Sequence, residues 1–149
     1  MKKVLLFGVA IALLLFALQW VPVAKNRSYE KSGKSFERSY KVPRNISRSL
    51  SASCYDCHSN NTHYPQYSKV QPAAWLMQKH IMAGKKELNF DDFNNYSDRR
   101  KKAKIRSIVS QIEKDQMPLK SYELMHREAK LTKDDKKRIL KFFKSLEKP

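Results

Sequence analysis

SASCYDCHSNNTHYP, residues 51–65, holds both cysteines of a 149-residue chain, Cys54 and Cys57, with His58 directly after the second. Three chemistries use two thiols at that spacing: a redox dithiol, half of a zinc site, or covalent attachment of haem. The histidine chooses among them. In c-type attachment each thiol adds to one vinyl group of the porphyrin, and the imidazole that follows falls under the iron as proximal ligand. With two Cys and four His in the chain, chance would produce the pattern roughly four times in ten thousand such sequences. Coincidence is a poor account of it. A thioredoxin-like dithiol needs a βαβ setting, and residues 40–75 lack the short apolar runs that strands require. A zinc module could recruit Cys54, Cys57, His63 and His80, but would leave His58 without a role. The expectation is one covalent haem c, held by Cys54 and Cys57, with His58 on the iron.

Haem is joined to such motifs outside the bacterial cytoplasm, so the amino end should direct export. After Lys2 and Lys3 comes VLLFGVAIALLLFALQWVPVA, Val4 to Ala24, without a charged residue. As a helix this stretch would rise about 31 Å, close to the thickness of a bilayer's hydrocarbon core. A cleaved signal peptide is the competitor, but the apolar region is long for one, and cutting after Ala24 would put Pro22 where a small residue is wanted. Loop charge orients it weakly, since Lys2 and Lys3 oppose Lys25, Arg27, Lys31 and Lys34. The haem motif breaks the tie. Residues 1–24 are expected to anchor the chain in the bacterial inner membrane as a single pass, with the haem domain facing the periplasm or exterior. Cleavage and release to the periplasm is the alternative.

About 125 residues remain, enough for one small domain. Residues 25–43, KNRSYEKSGKSFERSYKVP, are basic, serine-containing and almost free of aliphatics, which reads as a flexible tether. Residues 44–149 form the expected haem-binding domain. With both thiols in the motif none is left for a disulfide, so a core and the haem must hold the domain.

The remaining pattern is helical. Ile46, Leu50 and Cys54 recur every four residues, predicting a short helix that feeds the motif. Pro65 and Pro72 bound a loop whose Tyr64 and Tyr67 pack on a porphyrin or on the core. From Pro72, a stripe at 73, 76, 77, 81 and 84 predicts a helix with proline at its start and Gly84 near its end. Ser97 and Asp98 open a basic helix to about Asp115, with Ala103, Ile105, Ile108, Val109 and Ile112 on its buried side. Thr132 to Asp135 is a capping-box-like start for a helix carrying Ile139, Leu140, Phe142, Phe143 and Leu146. No strand pattern competes, so the fold class is all-α.

The order of parts resembles a class I c-type cytochrome: a short helix, Cys-Tyr-Asp-Cys-His, a loop, internal helices, Met117-Pro118 and an amphipathic last helix. The blocks CYDCHSN, YPQYSKVQP, WLMQKH, GKKELNF, QMPLKSY and MHREAKLT resemble the small bacterial haem-binding domain family, over roughly Val42 to Leu146. The resemblance implies one covalent haem, with Tyr64, Tyr67 and Trp75 as its expected neighbours. It leaves residues 1–41 outside.

A net charge of +17 is extreme for this length. No helix-turn-helix, zinc-finger pairing or glycine-aromatic motif accompanies it, and an exported domain rarely meets nucleic acid. Nucleic acid is therefore not an expected partner. A basic face can steer the domain to acidic redox partners or to anionic lipid, or simply keep it soluble.

Two functional classes fit. An electron carrier fills both axial positions of the iron, while a haem peroxidase or gas sensor leaves the sixth open. No distal pair of catalytic type stands out, which favours the carrier and a non-enzymatic role. For the sixth ligand the candidates are Met117, His63, His80 and His126, with Met77, Met82 and Met125 behind them. His63 sits too close to His58 in sequence to reach the opposite face. His80 lies on the apolar stripe, as a ligand or a core histidine, and His126 reads equally as a solvent-facing loop residue. Pro118 pushes Met117 out of helical conformation and into a loop, where the cytochrome resemblance puts a ligand. Met117 is the expected distal ligand, and His80 the alternative.

Overall fold

The cysteine motif continues a helix. In α3 (Arg44–Ser53), Ile46 and Leu50 lie one turn apart on one side and both are buried, as the spacing predicts. The helix kinks at Cys54, whose amide still donates to Leu50 O at 2.9 Å, and resumes as α4 (Tyr55–His58), where His58 N donates to Cys54 O at 3.0 Å. The structure, a computed structural model, describes residues 1–28 and 33–147. Every regular element among them is helical and none is a strand.

α5 (Ala73–Glu87) begins after Pro72 and carries Gly84 near its end, as expected. Its buried line is Ala74 and Ile81, continued by Leu88, whereas Leu76 is 55% exposed. At 100° per residue, positions 74, 81 and 88 nearly superimpose, and position 76 falls about 140° away from them. The predicted stripe mixed two faces. α6 (Asp98–Glu113) buries Ile105, Val109 and Ile112 but leaves Ala103 exposed. α7 (Lys120–Met125) is a short helix the sequence pattern did not announce. α8 (Lys133–Ser145) packs on α6 and buries Ile139 and Phe143.

The expected capping box is present. Thr132 Oγ1 accepts from Asp135 N at 3.1 Å, and Asp135 Oδ2 accepts from Thr132 N at 3.1 Å. The Thr132 hydroxyl, which also donates to Asp135 Oδ2, holds that carboxyl below its ordinary pKa. A depressed carboxylate stabilises the fold above its unfolded pKa, and that contribution fades as pH falls through the folded value. Thr132→Ala should cost about 1 kcal/mol in urea unfolding at neutral pH. The deficit should shrink in acid, where Asp135 is protonated in either protein.

Two expectations for the amino-terminal third are revised. The apolar segment forms α1 (Lys2–Leu18), 17 residues with none buried, rather than a helix through Ala24. Pro22 disfavours helical conformation at Val21, and the Gln19 carboxamide turns to the domain, where its Oε1 accepts from Gln71 N at 2.9 Å. No helix among the described residues is long and apolar enough to cross a membrane.

The second revision concerns residues 25–43, of which 29–32 lie outside the described residues. Residues 34–39 form α2 (Lys34–Ser39), and Phe36 is fully buried. Its ring meets Phe90 at 5.0 Å, Phe93 at 5.0 Å and Tyr40 at 4.8 Å. Counting aliphatics misjudged this stretch, because one phenylalanine and one tyrosine supply the apolar area that aliphatics would otherwise provide. Phe36 and Phe90 join Leu50, Tyr55, Ile105, Ile139 and Phe143 in one core beneath the cysteine motif.

Candidate haem site

His58 is held from one side. Its Nδ1 lies 2.9 Å from Gly84 O and 3.1 Å from Leu88 O. Carbonyl oxygens only accept, so Nδ1 carries the proton and shares it between them, and Nε2 keeps the lone pair. Burial lowers the His58 pKa, while the two backbone carbonyls pull the other way. The imidazole is therefore neutral near pH 7, the form that ligates a metal. Phe90 N also donates to His58 O at 2.8 Å. The end of α5 and the turn after it thus wrap the residue by three hydrogen bonds.

That wrap depends on a missing side chain. A Cβ on Gly84 would stand 2.7 Å from Cys57 O and 3.1 Å from Cys57 Cβ. Gly84, expected near the end of the helix, also serves the approach of α5 to the motif. Gly33 does the same on the other side. It sits at φ +70°, and a Cβ there would meet the Tyr55 ring at 2.2 Å. Two of the chain's three glycines are thus pressed against the five-residue motif.

Cys54 and Cys57 are free thiols, both partly buried. Burial, and then the neighbouring Cys57, pushes Cys54 up to about 12, and burial with Asp56 pushes Cys57 up to about 11. Both are protonated at neutral pH. The zinc alternative is not assembled. No group of three or more His, Cys, Asp or Glu that could hold a metal ion exists among the described residues.

Between the thiols, Asp56 is a junction that the sequence did not single out. Its Oδ1 accepts from His63 N at 2.9 Å, its backbone carbonyl from Thr62 Oγ1 at 2.6 Å, and its Oδ2 from Tyr122 OH at 2.7 Å. The Tyr122 ring stacks on His126 with centroids 4.2 Å apart, and His126 Nε2 lies 2.6 Å from Tyr67 OH. His126 is therefore buried in an aromatic sandwich and is not the solvent-facing loop residue that the sequence also allowed. Burial, followed by Asp56, raises the pKa of both Tyr67 and Tyr122, with Cys57 contributing to each.

The loop after His58 is laced from a distance. Asn26 Nδ2 donates to Ser59 O at 2.9 Å and to Thr62 Oγ1 at 2.8 Å, and Asn26 N donates to Tyr64 OH at 2.6 Å. A cleft of about 640 Å³ opens on the Asp56 side, lined among others by Ser51, Asp56, Tyr64, Tyr122 and His126. Neither cysteine nor His58 lines it. Of the other candidates, Met117 lies partly buried in the loop between α6 and α7, its amide donating to Gln111 O at 3.3 Å. His80 sits one turn before Gly84 on α5. Trp75, 37% exposed, is on the outer side of α5 and is not brought to the motif.

The structure thus unites Cys54, Cys57, His58 and Tyr67, and adds Asp56, Tyr122 and His126. The block QMPLKSY contained Tyr122, but no spacing rule marks a tyrosine as the partner of an aspartate 66 residues earlier. The chain belongs to the haem-binding domain family, whose profile matches residues 13–145. The match begins well before Val42, so the last third of α1 and the whole of residues 25–43 lie inside the family's span. That agrees with the packing of Asn26 and Phe36. No curated protein and no solved structure matches the chain.

Proposed function

We propose that this haem-binding protein is a membrane-anchored monohaem c-type cytochrome that carries electrons. The observation that carries the reading is the pair of carbonyls on His58 Nδ1, which fixes the tautomer and leaves Nε2 free to ligate. Cys54 and Cys57 would hold the group as thioethers to its vinyl substituents, and His58 Nε2 would ligate its iron. The bound group supplies one-electron exchange between ferric and ferrous iron. The chain's own part is to bind it, to orient His58 through Gly84 and Leu88, and to exclude water with Tyr67, Tyr122 and the core behind Tyr55.

For the sixth position we favour Met117 over His80. The α5 backbone faces Nδ1 of His58, the side of the ring opposite Nε2, and His80 belongs to that helix. Met117 leads within five residues to Tyr122, which is bonded to the motif. The apolar α1, with none of its residues buried, would insert in the membrane together with the uncharged residues that follow it to Ala24, with the domain on the exported side. The basic surface then meets acidic redox partners or anionic lipid.

Acid–acetone extraction of the purified full chain should leave its colour on the polypeptide. In Cys54→Ala/Cys57→Ala the colour should extract. A colourless folded product, from cells able to mature c-type haem, would sink the proposal. Ferric spectra then assign the sixth ligand: Met117→Ala should turn high-spin, and His80→Ala should stay low-spin. The reverse pattern would make the protein a bis-histidine cytochrome.

A further inference from the structure

α5 has a second face. Its inner line of Ala74, Ile81, Gly84 and Leu88 points to the motif. Trp75, Leu76, Lys79, Met82, Ala83 and Lys86 occupy an arc of about 120° on the opposite side. Leu76 is 55% and Met82 60% exposed, and the two lysines are exposed as well. Apolar side chains interleaved with lysines, one turn apart, are what a helix lying in a bilayer interface carries. The aliphatic stems sink while the ammonium groups reach the headgroups.

A second observation places the end of the apolar α1 beside this face. Gln71, two residues before α5, accepts at its carbonyl from Gln19 Nε2 at 3.4 Å and donates from its backbone amide to Gln19 Oε1 at 2.9 Å. Its side-chain Nε2 donates to Val21 O at 3.2 Å, and its Oε1 accepts from Trp75 N at 3.3 Å. The end of the apolar α1 is thereby pinned to the first turn of α5, with Trp20, Val21, Val70 and Trp75 all exposed at the junction. Tryptophans concentrate at the level where hydrocarbon gives way to headgroups. Lys25, Arg27 and Lys69 flank the same junction in the chain and match an anionic surface.

We propose that the outer face of α5, through Trp75, Leu76 and Met82, docks the haem domain flat on an anionic phospholipid surface. The proposal rests on α1 as the anchor, and it adds an orientation. One helix diameter, about 10 Å, then separates the lipid from the backbone that grips His58, so the site is held at the membrane surface rather than swinging on a tether.

The test uses the full holoprotein in nanodiscs of phosphatidylglycerol and phosphatidylcholine that include a phospholipid with a photoactivatable diazirine near its glycerol. After illumination, lipid adducts are mapped by mass spectrometry. Adducts are expected on α1 and also on the peptide spanning residues 73–83. Leu76→Glu/Met82→Glu, at two exposed positions, should lower the α5 adducts at least fivefold and leave those on α1 unchanged. Adducts on α1 alone would overturn the proposal and leave the anchor standing. Adducts on neither would remove the anchor and the proposal with it. A face of α5 that is shielded from solvent yet free of lipid adducts belongs to a partner protein or a second copy, and that also overturns it.

Discussion

Gly84→Val should destabilise the protein by about 3 kcal/mol and loosen the grip on His58 at the same time. Two terms oppose each other. Removing a glycine from the interior of α5 gains a few tenths of a kcal/mol in helix propensity for valine, and close to 1 for alanine. Against that stands the Cβ contact at 2.7 Å with Cys57 O, which is backbone and cannot swing aside. Overpacking of this kind costs about 1–3 kcal/mol, so Gly84→Ala should come out about 1 kcal/mol less stable after its propensity gain. Valine adds two methyl groups to the same gap and loses most of the compensation, so the steric term wins outright. The relief available is for α5 to move away from α4, and that lengthens the bonds from His58 Nδ1 to Gly84 O and Leu88 O. Urea unfolding should rank wild type above Gly84→Ala above Gly84→Val, with the haem spectrum of the valine variant altered in the same order. A valine variant as stable as wild type would mean that α5 does not press on the motif.

The candidate site was legible where its chemistry is local in the chain. Cys54, Cys57 and His58 fall within five consecutive positions, and a thiol and an imidazole have few alternative uses at that spacing. The helices were legible for the same reason: α3, α6 and α8 declare themselves by apolar residues one turn apart, and α8 by the Thr132 cap. Contacts between distant segments left no such mark. Asp56 with Tyr122, Asn26 with Thr62, and Gly33 with Tyr55 are single residues whose partners are set only by the fold. Gly84 carries two messages at once, because a glycine late in an apolar helix signals a nearby end or a close approach, and here the helix ends three residues on and the approach to Cys57 left no mark of its own. α5 was placed correctly in the chain but rotated wrongly. Its real line of Ala74 and Ile81 is thin, and the more hydrophobic Leu76 and Trp75 lie on the other side. The same imbalance that misled the pattern is what the lipid-docking face would require.

Phe36→Ala should cost about 3–5 kcal/mol, the range for deleting a buried aromatic side chain. A domain of this size is stable by about 5–15 kcal/mol in total, so the variant could lose half of its margin. The upper part of the range applies because the ring is fully buried and is met on several sides, by Tyr40, Phe90, Phe93 and Phe143, at centroid distances of 4.8 to 6.0 Å. Four surrounding rings cannot all close the gap, and an unfilled cavity adds to the lost transfer energy. The consequence reaches the site. Phe90, against which Phe36 packs, donates its amide to His58 O. On the same helix, Glu37 Oε1 accepts from Tyr55 OH at 2.9 Å and from Ser47 Oγ at 2.6 Å. Residues 34–39 thus brace the back of the Cys-x-x-Cys-His turn. Urea unfolding of the haem-loaded full chain, followed by far-ultraviolet circular dichroism, measures the loss directly. A midpoint within error of wild type would return this segment to the role of a tether. A large fall would place the structural boundary of the haem domain before Lys34, where a count of aliphatic residues had put only a linker.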